Sequence, residues 1–341
     1  MAIQDQLSER PTVLQGARRR ALIVGCGQLG GRHLQAIASL DLISDVEVVD
    51  PRAEGLKSGR ALLEETPDRS PGIRYQWLAG VEKASRGGDL CIVATGAAGR
   101  CALIQEISEK LGYRFFIVEK LVSQSVQDYE DLLGFARKKK ISIWVNCQER
   151  TFPIHKMIRE KAGGEPITVS ETAGNRGLAT VGIHGVDNFV FYTGCNELIP
   201  AGSLFDPVLH TTKRGFSDLS GTMQAVTPGG SRLVLNYGRE GAAGKHVVIV
   251  SRNRRWMITQ ATQDAWEAGE EGGWRWEKIP FEGELRVSRS TASFARQILQ
   301  NGTCDLPTLE QAFPAHRFVL SEMLPQFNKL LKKKDDLCPV T

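Results

Sequence analysis

From residue 20 onward, short apolar runs alternate with longer stretches in which apolar residues recur every three or four positions. The runs at 20–24, 46–49, 74–77, 90–94, 115–118 and 142–145 read as buried strands. Between most of them, 29–38, 53–63, 98–110 and 128–140 carry helical periodicity. The last of these is the clearest. Ser125 precedes Asp128 as in a capping box, Tyr129, Leu132, Leu133 and Ala136 repeat at helical spacing, and Lys138, Lys139 and Lys140 stand where a helix dipole favours positive charge. Strand and helix alternating in this way predict a parallel sheet covered on both faces.

After about residue 150 the pattern changes. Runs at 223–227, 232–237, 245–251 and 255–260, with a Pro228-Gly229-Gly230 turn and a polar break at Asn253, predict an antiparallel meander. Trp274 and Trp276 alternate with charged residues after Gly272-Gly273 and are expected to begin another strand, packed on a sheet face. Helices are expected at 290–300 and 309–331. The first seventeen residues and the tail after Lys332 read as loosely attached ends. The fold class is therefore α/β: a doubly wound N-terminal domain, then an α+β domain on a largely antiparallel sheet.

Composition narrows the function classes. The 341 residues suit two domains, and 41% hydrophobic with 24% charged residues is ordinary for a globular chain. The net charge of +4 is small, and the basic triplets Arg18–Arg20, Lys138–Lys140 and Lys332–Lys334 lie apart, so nucleic acid is not an expected partner. No run of 18 apolar residues and no secretory apolar segment is present, so no membrane association and a cytoplasmic location are expected. Seven scattered cysteines without a CxxC pair, and six dispersed histidines, predict reduced thiols and no metal site.

The strongest local signal is Gly25-Cys-Gly27-Gln28-Leu29-Gly30, which follows an apolar strand and opens a helix. Gly25 permits a tight turn, Gly27 lets a pyrophosphate approach the backbone, Gly30 lets helix and strand pack closely, and Asp50 follows 20 residues after Gly30 at the end of the second strand. This spacing predicts a dinucleotide site. Asp50 suits the ribose hydroxyls of NAD, and Arg52 offers charge that a 2′-phosphate would meet, so NADP remains open.

With these residues in place, Gly25-x-Gly27-x-x-Gly30-x-x-His33, Ala94-Thr95, Glu119-Lys120 and Gly182-Ile-His184-x-x-Asp187 follow the order and spacing of one family. The chain resembles the glucose-fructose oxidoreductase and inositol dehydrogenase family from about residue 20 to 325, where the 306–312 segment and His316 are also similar. The resemblance implies a Rossmann domain at 20–148 after an extension at 1–19. It further implies a substrate-binding and oligomerisation domain at 149–331, a tail at 332–341, and a sugar, sugar phosphate, nucleotide-sugar or cyclitol substrate. It implies that Lys120 and His184 face the substrate beside the nicotinamide. The chemistry agrees, since an imidazole can take a hydroxyl proton near neutral pH and an ammonium stabilises a developing alkoxide. Asp187, on the same helical face as His184, would orient the imidazole or contact substrate. Arg150, Gln148 and Thr180 are further substrate candidates. Gln28, Leu29, Thr95, Arg100 and Glu119 join the glycines, Asp50, Arg52 and Lys120 on the cofactor side. His33 is expected to pack near the cofactor loop.

Three positions depart from the family pattern. Leu121 stands where proline usually follows Glu-Lys, Arg100 where a histidine is frequent, and Thr180 where alcohol-oxidising members carry an aspartate. These leave two alternatives to carbohydrate oxidation: reduction of a non-carbohydrate substrate, as in biliverdin reductase-like or dihydrodiol dehydrogenase-like relatives, or a non-catalytic dinucleotide-binding sensor or assembly subunit. A homodimer or homotetramer through the C-terminal sheet is expected, with Met223, Ala225, Leu233, Leu235 and Val248 on the covered outer face.

Overall fold

The computed structural model describes residues 19–340 except 212–216, 242–243 and 285; the N-terminal extension lies outside the described residues. Six strands form the first sheet: β1 (Arg19–Val24), β2 (Ile43–Val49), β3 (Arg74–Leu78), β4 (Leu90–Val93), β5 (Phe115–Val118) and β6 (Ser142–Val145). All pair in parallel in the order β3-β2-β1-β4-β5-β6. Helices α1 (Gln28–Ala38), α2 (Ala53–Glu64), α3 (Arg100–Glu106, prolonged by a π turn at Ile107–Leu111) and α4 (Val126–Lys139) connect them. The Ser125 hydroxyl accepts from the Asp128 N–H at the start of α4, and three basic residues close its last turn.

The register explains why so many candidates share one edge. Val49, Val24, Val93, Val118 and Val145 pair side by side along the ends of their strands. The residues that follow this line are Asp50, Gly25, Ala94, Glu119 and Asn146. The strand order reverses between β1 and β4, which is where ligands enter sheets of this topology.

The second half begins with α5 (Pro153–Ala162), β7 (Thr168–Gly174) and α6 (Leu178–Thr193). The two-residue strands β8 (Ile199–Pro200), β9 (Leu204–Phe205), β10 (His210–Thr211) and β11 (Ser217–Asp218) follow. Then come β12 (Gly221–Val226), β13 (Arg232–Gly238), β14 (Gly244–Val250), β15 (Arg254–Thr259), β16 (Asp264–Gly269) and β17 (Glu277–Ile279), with α7 (Val287–Asn301) and α8 (Leu309–Leu331) closing the chain. The large sheet runs β17-β16-β15-β14-β7-β13-β12-β8.

This corrects the expected meander. β7 lies between β13 and β14, parallel to the first and antiparallel to the second. Its sequence, Thr-Val-Ser-Glu-Thr-Ala-Gly, has little apolar signal because its alternate residues face solvent, with only Val169, Glu171 and Ala173 turned inward. The expected outer face is also inverted. Met223, Ala225, Leu233 and Leu235 are fully buried in the core of the second half, and of the five only Val248 is exposed on the open face. The strand expected at the tryptophans begins at Glu277; Trp274 instead adopts a left-handed conformation with the Arg255 guanidinium 4.5 Å from its ring.

The tail is a second correction. Cys338 and Val340 are each 1% exposed and join the core of the second domain, and the Cys338 N–H donates to Gln124 O (2.8 Å). Two apolar side chains among charged neighbours gave little periodic signal. Helix α7 returns to the first sheet, where Phe294, Ala295, Ile298 and Leu299 pack beside α1, and Leu309 and Ala312 of α8 reach the core beneath α4. The two halves therefore share returning helices as well as a linker.

Candidate active site

At the first edge, β1 turns through Gly25 (φ 87°) into α1. A Cβ at Gly25 would lie 2.9 Å from the backbone of Ala94 and Thr95, and one at Gly30 would strike Gly25 O at 1.8 Å. At Gly27 the nearest atom to such a Cβ is 3.7 Å away, on Arg52. Gly25 and Gly30 are thus required by packing, whereas Gly27 faces open space. Helix α1 starts there with no side-chain cap and no acidic residue in its first turn, leaving N–H groups for an anion.

Asp50 is 1% exposed and accepts from the Cys26 N–H (2.8 Å) and the Arg52 N–H (2.9 Å). Burial opposes its ionisation, but those bonds and the Arg52 guanidinium hold its carboxyl below the usual range. The Arg52 side chain is exposed and lies over this loop. Thr95, after β4, donates to Gly96 O (3.1 Å).

Arg100 does not face this opening. Its side chain is fully buried and donates to the carbonyls of Thr95, Glu119 and Leu121, bracing the ends of β4 and β5; burial lowers its pKa to about 10. Glu119 likewise works inside the protein. It accepts from Asn146 Nδ2 (2.6 Å) and pairs with His33 Nε2 (2.9 Å), while His33 Nδ1 meets Thr291 of α7 (2.9 Å). Burial opposes ionisation of Glu119, yet these partners bring its pKa down to about 2. His33 is thereby a tie between α1, β5 and α7, as its expected packing role requires.

Lys120 is the first residue to leave this edge, through a cis peptide to Leu121. Its ammonium donates to Thr180 O (2.6 Å) in the first turn of α6. That carbonyl is four residues before His184, so Lys120 and His184 converge on one turn of one helix although 64 residues separate them in the chain. Burial lowers the pKa of Lys120, against the pull of Glu119. His184 is brought to about 4 by burial first, with Lys120 and Lys245 acting in the same direction, and it is neutral at pH 7. Its Nδ1 is sealed from solvent with no hydrogen-bond partner.

Helix α6 can lie this close to the sheet because of Gly185, where a Cβ would meet Glu171 at 2.8 Å and Leu235 at 2.9 Å. Its N-terminus is capped from outside by Asp218, a residue that sequence spacing did not single out. Asp218 accepts from the Ala179 N–H (2.7 Å) and from the Thr180 hydroxyl (2.6 Å). The hydroxyl at position 180 thus meets a carboxylate supplied from β11.

Asp187 is not hydrogen-bonded to His184. It is buried, pairs with Arg150 (3.3 Å), and leaves Oδ2 without a partner; burial raises its pKa to about 7. The other face of the Arg150 guanidinium lies 4.7 Å from the Phe191 ring. Gln148 accepts from Ser290 of α7 (2.5 Å). His316 donates from Nδ1 to Ala312 O (2.8 Å), so its buried Nε2 is a bare acceptor without a partner. Unpartnered buried atoms on His184, Asp187 and His316 concentrate in this region, and such groups call for an unseen partner. A surface groove of about 730 Å³ lies between α5, the end of α6 and residues 304–307, with Arg150 in its wall.

No family model and no curated protein matches the chain. Solved structures do. A UDP-N-acetylglucosamine 3-dehydrogenase, GnnA from Acidithiobacillus ferrooxidans, is similar at 16% identity over 91% of this chain and 96% of that one, with a TM-score of 0.70. KijD10, a 3-ketoreductase from Actinomadura kijaniata solved with NADP, is similar at 15% identity over 89% and 96%, TM-score 0.67. An oxidoreductase from Agrobacterium radiobacter, solved with NAD+, L-tartaric acid and magnesium, is similar at 12% identity over 89% and 94%, TM-score 0.71. At these identities the likeness establishes the two-domain fold.

Proposed function

We propose that the chain is an NAD(P)-dependent oxidoreductase that transfers a hydride between the coenzyme and a hydroxyl or carbonyl carbon of a sugar, sugar phosphate, nucleotide-sugar or cyclitol. The observation that carries this reading is the meeting of Lys120 with the first turn of α6, four residues before His184, at the edge that also holds the glycine loop. The fold shared with a nucleotide-sugar dehydrogenase and a 3-ketoreductase supports it.

The loop fits a dinucleotide, since Gly27 leaves open the space that a Cβ would begin to fill and α1 presents uncapped N–H groups. Gly25, Gly27, Gln28, Leu29 and Gly30 would hold the pyrophosphate, Asp50 and Arg52 the adenosine ribose, and Thr95 the inner wall. When bound, the coenzyme supplies the hydride acceptor or donor. Asp50 favours NAD, and the exposed Arg52 permits NADP. His184, neutral at pH 7, receives the substrate hydroxyl proton during oxidation and returns it during reduction. The Lys120 ammonium stabilises negative charge on the same oxygen. Arg150, Asp187, Gln148 and Thr180 shape the pocket around it.

The test is turnover of a panel containing UDP-N-acetylglucosamine, TDP-sugars, myo-inositol and non-carbohydrate ketones with each coenzyme. Reduction of NAD+ or NADP+ by a carbohydrate member supports the reading; activity confined to non-carbohydrate ketones, or to none of the panel with either coenzyme, rejects it. The same proposal includes a homodimer or homotetramer in which a second copy covers the open sheet face around Val248, Val250 and Met257. Light scattering at micromolar concentration should give at least twice the 37.5 kDa chain mass, and a monomer would refute it.

A further inference from the structure

Behind His184 lies a group of charged side chains to which the proposed reaction assigns no task. Glu149, in the turn Gln148–Thr151, has both carboxylate oxygens engaged. Lys245 of β14 and Asn188 of α6 (3.3 Å) donate to Oε2, and Gln260 (2.9 Å) donates to Oε1. Lys245 is also 3.7 Å from Glu171 of β7, which accepts from Tyr237 of β13 (2.5 Å). Glu149, Glu171 and Lys245 are all buried. Two carboxylates and an ammonium withdrawn from water are a costly way to fill a core, which apolar side chains of similar volume fill at least as well.

The group is wedged under the part of α6 that carries His184. Asn188, which holds Glu149, is one turn beyond His184 on the same side of the helix. The neighbouring Gly185 leaves the room that Glu171 occupies. From this geometry we propose that Glu149 is the buried counter-charge for protonated His184, and that Lys245 is a positioning residue that holds Glu149 and tempers its field.

The inference rests on His184 taking the hydroxyl proton. In that step the O–H bond breaks, an N–H bond forms on the imidazole, and the electron pair left on oxygen closes the carbonyl as hydride departs from carbon to the coenzyme. An imidazolium then stands in a site that disfavours it. Lys120 and Glu119 act on it from the end of β5, Lys245 from β14, Glu149 from the turn before α5 and His316 from α8, with Asp187 three residues on along α6 itself. Among the anions, Glu149 opposes the low pKa of His184 most strongly.

The test is NMR titration of the His184 imidazole in the full chain, which needs neither substrate nor turnover. His184→Asn identifies the resonance among six histidines. Between pH 8 and 4.5 the wild-type signal should begin to move only at the acid end. Glu149→Gln should flatten it, and Lys245→Met should shift the titration upward by about one pH unit or more, because the freed carboxylate then faces the imidazole alone. If Lys245→Met does not fold, Glu149→Gln combined with Lys245→Met removes both charges and should titrate above Glu149→Gln alone. Movement of the single variants in the same direction, or coincidence of all curves with wild type, overturns the proposal. Failure of the carbohydrate panel with these titrations as stated would reject the proposed reaction and leave the electrostatic pairing standing.

Discussion

Lys120 follows the end of β5 and Arg100 opens α3 beyond the neighbouring β4, both are cationic, and both were read from sequence as site residues. The structure separates them by what their nitrogens reach. Arg100 is spent on three backbone carbonyls, whereas the Lys120 ammonium crosses to the other domain and meets α6. Spacing from a strand end fixes roughly where a Cα lies and says nothing of which way a long side chain turns, which is why it found both and could not tell them apart. The same limit applied to Asp187, whose helical spacing to His184 was right although its partner is Arg150. We predict that His184→Asn lowers kcat by roughly 10²- to 10⁴-fold, with coenzyme affinity changed only a few-fold. Lys120→Met should lower it by about 10²- to 10³-fold. Steady-state kinetics with direct coenzyme titration checks both, and unchanged turnover in both variants would remove these residues from the reaction.

Among the elements, the parallel sheet was legible because each strand is buried on both faces and each helix has one apolar stripe. Five of the six expected strands fall within two residues of those observed, and the second was cut short at its start because Ser44 and Asp45 interrupt the apolar run. β7 was hidden for the opposite reason, its small polar residues resembling a loop until β13 and β14 close on either side of it. A consequence follows at the other end of the chain. Deleting residues after Lys332 removes the nearly fully buried Cys338 and Val340, and should cost about 2–4 kcal/mol at the usual value for buried apolar side chains. A urea midpoint equal to that of the full chain would show the tail to be dispensable.

In the molecule as a whole, the returning helices α7 and α8 pack against both halves of the chain. His155, His184 and His316 each have a pKa lowered from 6.5 to about 4 by burial. A histidine depressed in the folded state contributes stability that is complete above 6.5 and is lost as pH falls toward 4. Asp187, raised by burial from 3.8 to about 7, acts in the opposite sense, its contribution fading as pH rises through 7. Glu171 and Asp218 are also raised by burial and act with Asp187, so the imidazole contribution is read by difference: the melting temperature of His316→Gln should fall less between pH 6.5 and 4.5 than that of the wild type. Thermal melts at fixed ionic strength check this, and parallel curves would contradict the burial of that imidazole.

The proposed reaction requires that the edge formed by Gly25, Gly27, Gly30 and Asp50 hold a nicotinamide dinucleotide beside Lys120 and His184. Its most direct test is fluorescence titration of NADH and NADPH with the wild-type chain and with Gly27→Ala, whose added methyl enters the open side of the loop. Saturable binding of at least one coenzyme is expected, with marked weakening in Gly27→Ala without loss of fold. Absence of binding for both coenzymes at millimolar concentration would leave the glycine loop a structural turn, and the roles assigned to Lys120 and His184 would fall with it.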